Sequence, residues 1–330
     1  MRRIVFRFDA SPVIGMGHWY RCLALHDEIA DTYKQPVEFI TNRLAPELKN
    51  ELHRQNIKFH EVDHVQQSSE LVPFLGKDSL LVLDLMSTTD DFVLSLRKEC
   101  KILSIGGSGT GKDHVNVRID GMIARPGYTD GFEGERLFLG PEYIILRNHF
   151  EDVLQIPIRK EISNILVALG ADSAGKGFEI AKILTGLFSA ISITLMIGPL
   201  TRIIKTERAS IRICQNIDNP KSIMESCDIG ISSGGMTSFE LFRLGKPQIF
   251  LPQVPLQEVV SRSFEESGLG FVIMQREQED IGGLSIALAR IIDSYKSIDL
   301  RKKIANSASM LVDGQGVKRV ARIIYEEILT

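Results

Sequence analysis

Short runs of aliphatic and β-branched residues alternate with amphipathic helical patterns along the whole chain. Segments such as Ile4–Asp9 and Asn164–Leu169 are largely apolar, whereas His18–Ala30 repeats apolar residues every three or four positions. A strand that is apolar on both sides needs cover on both faces, and a helix after each strand supplies it. The alternation therefore predicts α/β architecture built on doubly wound parallel sheets.

The chain is too long for one such sheet. Its 330 residues exceed the usual size of a single core and favour two domains. We predict an N-terminal Rossmann-like domain over residues 1–145, a linker over 146–160 and a C-terminal Rossmann-like domain with its closing helices over 161–330. In such sheets ligands bind beyond the carboxyl ends of the strands, so the two domains are expected to face each other across a cleft.

The predicted strands of each series are short and evenly spaced. In the N-terminal series they are Ile4–Asp9, Val37–Thr41, Ile57–Val62, Leu80–Leu85, Lys101–Ile105, Val115–Ile119 and Arg136–Leu139. In the C-terminal series they are Asn164–Leu169, Ser192–Ile197, Ile211–Gln215, Ile229–Ser232 and Gln248–Leu251.

Composition excludes several classes of function. The 39 basic and 42 acidic residues leave a net charge of −3, which gives no electrostatic footprint for nucleic acid. Four widely spaced cysteines without a C-x-x-C pair argue against a zinc site or a disulfide scaffold, and the histidines are not spaced as metal ligands. No apolar run is long enough for a membrane span or a signal peptide, so we expect a cytoplasmic protein. We also expect it to hold neither a metal nor another cofactor.

The first informative loop follows the first strand and reads FDASPVIGMGHWYRC. Gly15 and Gly17 allow a tight turn, and His18 stands at the start of the next helix. The positive end of that helix disfavours a protonated imidazole, and a neutral imidazole can act as a general base near neutral pH. The alternative is a first-turn histidine bonded only to solvent or to a neighbouring carbonyl.

Three charged residues near this loop have two interpretations each. Asp84 ends the fourth predicted strand, where it would either orient His18 or bind a sugar. Asp9 is either a loop cap or a sugar contact, and Arg21 either binds an anionic group or lies on a solvated helix face.

The second informative loop carries the strongest pattern in the chain, ISSGGMTSFELFRLG. A buried strand ends at Ser232, glycines follow at 234 and 235, and a helix starts at Thr237 or Ser238. Backbone N–H groups at such a helix start can hold a phosphate, and Glu240 one turn further could reach the hydroxyls of a ribose. The competing interpretation is a capping box in which Thr237 is the N-cap and Glu240 reaches back to it.

Two further glycine-containing loops give weaker patterns. Gly170 follows the first strand of the second series and could close over a diphosphate, whereas Asp172 or Ser173 could simply cap the next helix. The segment 106–112 is similar to a phosphate-binding P-loop, but Asp113 stands where that motif needs serine or threonine. We therefore predict a flexible loop there.

Taken together these motifs resemble one family. Residues 8–22 are similar to the D-x-S-x-x-I-G-x-G-H-x-x-R-C opening of the pseudaminic-acid pathway nucleotide-sugar hydrolases, which are often grouped with spore-coat polysaccharide proteins. Residues 139–147 (LGPEYIILR) resemble the family's connection between domains, and 234–240 (GGMTSFE) resemble its nucleotide site. Gln257 and Gly268 keep the family's spacing between a glutamine and a glycine.

The resemblance, which runs from about residue 3 to about residue 275, implies the glycosyltransferase-B fold, a UDP-sugar substrate and no metal. It implies hydrolysis of UDP-2,4-diacetamido-2,4,6-trideoxy-β-L-altropyranose in the biosynthesis of bacterial surface nonulosonic acids, with His18 activating water. On this basis the UDP is expected to contact Gly234, Gly235, Thr237, Ser238, Glu240 and Gly170. The sugar side is expected to involve Asp9, Gly15, Gly17, Arg21, Asp84 and Gln257.

The chain departs from the family at several polar positions. The family's Asp-His-Tyr after the fourth strand is replaced by Asp84, Leu85 and Met86, and its acidic residues after the fifth strand by Gly106 and Gly107. Leu256 stands where an asparagine commonly precedes the glutamine.

These departures keep two other functions open. One is a glycosyltransferase of the same fold, which moves the sugar to a sugar or lipid acceptor. The other is a nucleotide-sugar sensor without catalysis.

Overall fold

The structure is a computed structural model that describes residues 2–329 except 12, 65, 123–130, 154–155, 171, 173–174, 199–200, 202–210, 216 and 218. The chain forms two units. Unit 1 contains residues 1–148 and 314–330, and unit 2 contains residues 149–313.

Unit 1 is built on a seven-stranded sheet in which every described pair of strands is parallel, in the order β3-β2-β1-β4-β5-β6-β7. Its strands are β1 (Arg3–Phe8), β2 (Val37–Asn42), β3 (Phe59–Val62), β4 (Ser79–Asp84), β5 (Lys101–Ile105), β6 (Val117–Asp120) and β7 (Arg136–Leu139). Its helices are α1 (Gly17–Tyr33), α2 (Pro46–Arg54), α3 (Ser68–Leu71), α4 (Asp90–Arg97) and α11 (Gly316–Leu329).

Unit 2 repeats the same plan with a six-stranded parallel sheet in the order β10-β9-β8-β11-β12-β13. Its strands are β8 (Asn164–Ala168), β9 (Ser192–Ile197), β10 (Ile211–Gln215), β11 (Ile229–Ser232), β12 (Gln248–Phe250) and β13 (Gly270–Val272). Its helices are α5 (Lys176–Leu187), α6 (Lys221–Ser226), α7 (Met236–Arg243), α8 (Pro255–Glu266), α9 (Ile281–Ser294) and α10 (Ile298–Leu311).

The predicted doubly wound α/β architecture is therefore confirmed in both units. Strand β1 runs between β2 and β4, and β8 runs between β9 and β11, so the order of strands reverses direction beside β1 and beside β8. The central strands are almost completely buried, as their largely apolar sequences require. The two reversal points are where open α/β sheets bind ligands.

The last helix corrects the predicted domain boundary. The prediction places all of 161–330 in the second domain, but α11 belongs to unit 1, where it packs against α1. Its buried Glu327 pairs with Lys101 at 2.7 Å, and Tyr325 stacks on Tyr33 with ring centroids 4.3 Å apart. The amphipathic pattern predicted the helix correctly, but not the surface that buries its apolar face.

Part of the predicted linker 146–160 packs into the two units. Leu146 is buried, and the Arg147 guanidinium lies over the ring of Tyr20, 4.6 Å from its centre, within unit 1. On the other side of the boundary, the carbonyl oxygens of Phe150 and Glu151 accept hydrogen bonds from Arg243 within unit 2.

Candidate functional site

The candidate catalytic residues of unit 1 lie at its reversal point. His18 stands in the first turn of α1, which follows β1, and Asp84 is the last residue of the neighbouring strand β4. Because adjacent parallel strands end at the same edge of the sheet, residues 66 positions apart in sequence come into contact.

His18, Asp84 and Arg21 form one hydrogen-bonded cluster. The Nδ1 atom of His18 lies 2.7 Å from Asp84 Oδ1. Arg21 donates from Nε to Asp84 Oδ2 at 3.0 Å and from Nη2 to Asp84 Oδ1. The same Nη2 lies 3.0 Å from His18 Nδ1. The Asp84 side chain is fully buried, while those of His18 and Arg21 keep 13% and 12% exposure.

The charges of the cluster determine which ring nitrogen of His18 carries a proton. Burial alone would raise the pKa of Asp84, but the charges and hydrogen bonds of Arg21 and His18 outweigh it and hold that pKa well below its usual range. An ionised carboxylate can only accept, so the Nδ1–H of His18 donates to it. In the neutral form of the ring, Nε2 then carries the lone pair that a general base requires.

Cys22 also contacts this cluster, without a chemical role of its own. Its thiol donates to Asp84 Oδ2 at 3.7 Å and is completely buried. Burial and the Asp84 charge raise the pKa of Cys22 well above its usual value. The side chain remains a neutral thiol and packs as a small apolar group.

The other predicted residues of the first loop shape the backbone. Asp9 is buried and pairs with the buried Arg7 at 2.5 Å, so its carboxylate balances a charge in the core. Its contact with a sugar stays a prediction. Gly15 has φ +89° and donates its N–H to the Ser11 carbonyl at 2.8 Å, which closes the turn. Gly17 is the first residue of α1.

Asn42 holds this loop in place, and the sequence analysis did not identify it. Its side-chain oxygen accepts from the Ala10 N–H at 3.0 Å, and its amide donates to the Ala10 carbonyl at 3.2 Å. The only sequence signal was an asparagine at the end of a strand next to β1.

The glycine-rich segment after β5 is held by the loop after β4, so the prediction of a flexible loop is replaced. Ser108 exchanges backbone hydrogen bonds with Met86 and Thr88 at 2.8 and 3.0 Å. A Cβ atom at Gly107 would lie 2.7 Å from the Leu85 carbonyl oxygen, and one at Gly109 would lie 2.3 Å from that of Thr88. These glycines permit close contact between two backbones and give no sign of a phosphate loop.

Two departures from the family pattern have different structural positions. Leu85 is 4% exposed and belongs to the core, so it does not face a ligand. Met86 is 51% exposed and, like Val13 at 83%, presents an apolar side chain on a loop next to the His18 cluster.

The candidate nucleotide residues of unit 2 lie at its own reversal point. Strand β11 ends at Ser232, Gly234 adopts φ +81°, and Gly235 is the N-cap of α7. Within the described residues, no side chain caps the first turn of α7. The Ser238 N–H donates to the Gly235 carbonyl at 2.9 Å. An anion held by the N–H groups of Met236 and Thr237 stays a prediction of the glycine pattern.

The helix begins earlier than either predicted start. Thr237 is the second residue of α7 and not its N-cap, so the predicted capping box with Glu240 does not form. Glu240 is buried, at 4% exposure, one turn into the helix. Glycine can be an N-cap without a side-chain hydrogen bond, so a pattern that looks for a threonine or serine cap places the start of the helix too late.

Ser238 takes part in a buried set of hydrogen bonds, and its contact with UDP stays a prediction. It is completely buried, and its Oγ lies 2.8 Å from Ser232 Oγ. The Ser232 hydroxyl donates to Gln248 Oε1 at 2.8 Å, and the Gln248 amide donates to the Ser238 carbonyl at 2.9 Å. Every polar atom in this closed set satisfies another, so the set fixes where α7 starts relative to β11 and β12.

Gly170 and Asp172 separate the two interpretations of the loop after β8. Asp172 accepts from the N–H groups of Lys176 and Gly177, both at 2.7 Å, and so caps α5. Ser173, the other candidate cap, lies outside the described residues. Gly170 has φ +78°, and beyond its chain neighbours no atom of the described residues lies within 4 Å of the position a Cβ would take. The start of α5 is therefore occupied by a carboxylate, while the contact of Gly170 with a diphosphate stays a prediction.

Gln257 lies beside the glycine turn, in the first turn of α8. A Cβ on Gly235 would be 3.7 Å from Gln257 Nε2 and 3.7 Å from Ser233 Oγ. Gln257 Oε1 accepts from the Gln253 N–H at 2.8 Å, which turns the amide NH₂ towards Gly235. Sequence reasoning assigned Gln257 to the sugar and did not single out Ser233.

The described residues bear on two kinds of partner, metal ions and membranes. None of their histidines, cysteines, aspartates and glutamates group as a metal site would require. No described helix combines the length and apolar character needed to cross a bilayer. The four cysteines are buried and unpaired thiols.

No protein-family model matches the chain. The chain is 28% identical over 277 residues to an uncharacterised protein of Methanocaldococcus jannaschii, a match that covers 77% of this chain and 56% of that protein. The chain thus matches little more than half the length of that relative. It is 26% identical over 340 residues to the spore coat polysaccharide biosynthesis protein SpsG of Bacillus subtilis strain 168, with 96% of both chains covered.

Solved glycosyltransferase structures match almost the whole chain. One of them, the spinosyn rhamnosyltransferase SpnG complexed with thymidine diphosphate, has a TM-score of 0.61 at 14% identity and covers 97% of this chain and 100% of that one. The chain has the glycosyltransferase-B fold. At such identity the likeness establishes the fold alone, so the activity has to be argued from the sites.

Proposed function

We propose that the protein is a nucleotide-sugar hydrolase that releases UDP and a free diacetamido-trideoxy sugar from a UDP-sugar, in the biosynthesis of a surface glycan. The observation that carries the proposal is the His18–Asp84 hydrogen bond of 2.7 Å at the reversal point of a doubly wound sheet. It orients the imidazole, with Nδ1 on the carboxylate and Nε2 turned away from it, at the place where such folds bind ligands.

Unit 2 is the proposed UDP-binding unit. Gly234 and Gly235 bring the chain into α7 without side-chain obstruction, and the N–H groups of Met236 and Thr237 begin the helix. Such a start attracts the negative charge of a diphosphate. Gly170 and the Gln257 amide extend the proposed contacts, and Glu240 is assigned to the ribose. The thymidine diphosphate complex of SpnG shows that a relative in fold binds a nucleoside diphosphate.

The proposed reaction uses His18 as the general base. The oxygen of a water molecule attacks the anomeric carbon while His18 Nε2 takes one of its protons. The bond between that carbon and the diphosphate oxygen breaks, and its electron pair leaves with UDP. The free sugar then carries the new hydroxyl. The helix start of α7 stabilises the charge that develops on the leaving group.

The surface-glycan assignment is supported by the match to SpsG, whose name places that protein in the biosynthesis of a spore coat polysaccharide. The particular sugar, and the nonulosonic acid context, are supported by the likeness of residues 8–22 and 234–240 to the pseudaminic-acid pathway hydrolases. The proposed reaction does not require a metal ion.

A glycosyltransferase is the second candidate, and two observations favour it. The solved structures that match the fold include named glycosyltransferases. Val13 and Met86 expose apolar side chains near the His18 cluster, which would suit an apolar acceptor better than water. In that case His18 would deprotonate an acceptor hydroxyl instead of water.

The test is to incubate the purified protein with a panel of UDP-sugars and to follow UDP by ³¹P NMR. A hydrolase releases UDP from its substrate in buffer alone, whereas a transferase does so only after an acceptor sugar or lipid is added. If no UDP-sugar is turned over under either condition, both proposals fail and the nucleotide-sugar sensor gains support.

His18→Ala tests the proposed base. We expect turnover to fall by about 10²- to 10⁴-fold, the usual contribution of a general base, while UDP binding by calorimetry stays unchanged. His53→Ala is the matched control, because His53 is an exposed histidine on α2 of the same unit. Undiminished turnover by His18→Ala would show that His18 is not the base.

A further inference from the structure

Arg21 is bonded to the same carboxylate as His18 and lies next to the imidazole, so it is more than a residue that binds an anionic ligand. The two residues are three positions apart on α1, which brings them to the same face of the helix. Arg21 uses Nε and Nη2 together on Asp84, the fork geometry that guanidinium groups adopt on carboxylates. Its Nη2 also lies 3.0 Å from His18 Nδ1. All three side chains therefore share one small volume.

This arrangement answers a problem that an Asp–His pair alone would create. A buried carboxylate 2.7 Å from an imidazole orients the ring, but it also stabilises the protonated ring, which cannot act as a base. The guanidinium of Arg21 carries a permanent positive charge on the same carboxylate. At His18 the positive charge of Arg21 opposes the negative charge of Asp84, while the hydrogen bond between Asp84 and the ring is kept.

Further titratable groups of the described residues come from α1, β6 and the end of β1, and Arg147 lies over the ring of Tyr20 on α1. The Cys22 thiol of α1 faces Asp84 and is held neutral by its burial. Asp120, at the end of β6, lies within electrostatic reach of Arg21 and adds to the forces that keep the guanidinium charged. Asp9, at the end of β1, is paired with Arg7.

We propose that Arg21 is a positioning residue that lets Asp84 fix the Nδ1–H tautomer of His18 without charging the ring. This assigns Arg21 to the catalytic apparatus through Asp84 and replaces its predicted contact with the sugar. The catalytic meaning of the inference rests on the proposed base role of His18, but the tautomer and the protonation of the ring can be measured without any substrate.

The first measurement is ¹⁵N NMR of the histidine-labelled wild-type protein. The His18 signals are identified by their loss in His18→Gln. At pH 7.5 we expect a protonated Nδ1 and an unprotonated Nε2, because the carboxylate needs a donor. A predominant Nε2–H tautomer would overturn the proposal at once, since Asp84 would then not be accepting from the ring.

The second measurement follows the pH at which His18 takes up its proton in two variants. In Arg21→Gln the charge of Asp84 is no longer opposed, so we expect that pH to rise by about one unit or more relative to wild type. In Arg21→Lys, the matched control, the positive charge remains and the shift should be less than half of that. An unchanged or lower value in Arg21→Gln would refute the proposal.

A double variant keeps the test decisive if Arg21→Gln does not fold. Arg21→Gln/Asp84→Asn removes both charges together and leaves neither one buried alone. Because the proposal states that the two charges nearly cancel at His18, the double variant should take up its proton within about half a pH unit of wild type. A larger change in either direction would show that they do not cancel.

Activity measurements separate this inference from the proposed function. If UDP-sugar is hydrolysed, the acid limb of the rate profile of Arg21→Gln should move to higher pH by the same amount as the NMR titration. Hydrolysis together with an unshifted titration would leave the proposed function standing and remove the role of Arg21. A shifted titration in a protein that turns over no UDP-sugar would do the reverse.

Discussion

The glycine turn of unit 2 gives a stability prediction that can be worked from the coordinates. Gly234 has φ +81°, and a Cβ there would lie 2.3 Å from Ser261 Oγ and 3.2 Å from the Gln257 carbonyl oxygen. An L-residue in the left-handed region costs about 1–2 kcal/mol, and overpacking costs about 1–3 kcal/mol. We therefore expect Gly234→Ala to lower the free energy of unfolding of unit 2 by about 3 kcal/mol.

Ser261 provides the matched control. Its hydroxyl is buried and has no hydrogen-bond partner among the described residues. Ser261→Ala removes that unsatisfied group, so we expect it to be neutral or to stabilise unit 2 by about 1 kcal/mol. In the double variant Gly234→Ala/Ser261→Ala the 2.3 Å contact disappears and the 3.2 Å approach to the Gln257 carbonyl oxygen remains, so the loss should fall from about 3 kcal/mol towards the backbone cost of about 1–2 kcal/mol.

Urea unfolding is the assay, with a separate reporter for each unit. Hydrogen–deuterium exchange of peptides over 229–243 reports unit 2, and the fluorescence of the single tryptophan, Trp19, reports unit 1. Calorimetry with UDP adds a functional reading, in which Gly234→Ala should bind about tenfold more weakly, equivalent to about 1.4 kcal/mol, while Ser261→Ala binds as wild type does. A double variant as unstable as Gly234→Ala would refute the steric argument.

Two other predictions concern buried carboxylates. Asp172→Ala removes the acceptor of two N–H groups at the start of α5 and should cost about 1–2 kcal/mol, measured by thermal unfolding, with Asp172→Asn closer to wild type. Asp84 has a depressed pKa in the fold, so its contribution to stability is present above the ordinary aspartate pKa of about 4 and is lost as the pH falls below it. Melting curves from pH 7 to 3, followed by Trp19 fluorescence, should show this acid loss in wild type but a smaller one in Asp84→Asn. Equal acid losses in the two proteins would contradict the assignment.

The fold was accessible from the sequence wherever local pattern determines structure. The predicted strands Lys101–Ile105, Ser192–Ile197 and Ile229–Ser232 have the observed bounds, because apolar runs of this kind have no other way to be covered. Strand β13 was missed, since the three residues Gly270–Val272 give too short a pattern. The unit to which α11 belongs was also not predictable, because an apolar helix face does not specify its partner.

In the candidate sites, too, strand order was predictable from the sequence, but individual side-chain contacts were not. The proximity of His18 and Asp84 was predictable as an option, since both follow strands that a doubly wound sheet places side by side. The commitment of Arg21 to Asp84, and of Asp9 to Arg7, depends on side-chain directions that no spacing rule gives. Likewise Ser238 and Thr237 could not be told apart, because the start of α7 is set two residues earlier by Gly235.

The return of α11 to unit 1 has a consequence for biosynthesis. A ribosome makes the whole of residues 149–313 before it reaches the helix that covers α1. Throughout that interval the part of unit 1 that α11 covers is exposed to solvent. The α11 residues that become buried when the helix packs include Val317, Val320 and Ile324. We therefore expect chaperones that bind apolar surfaces to stay with this chain until α11 has left the ribosome.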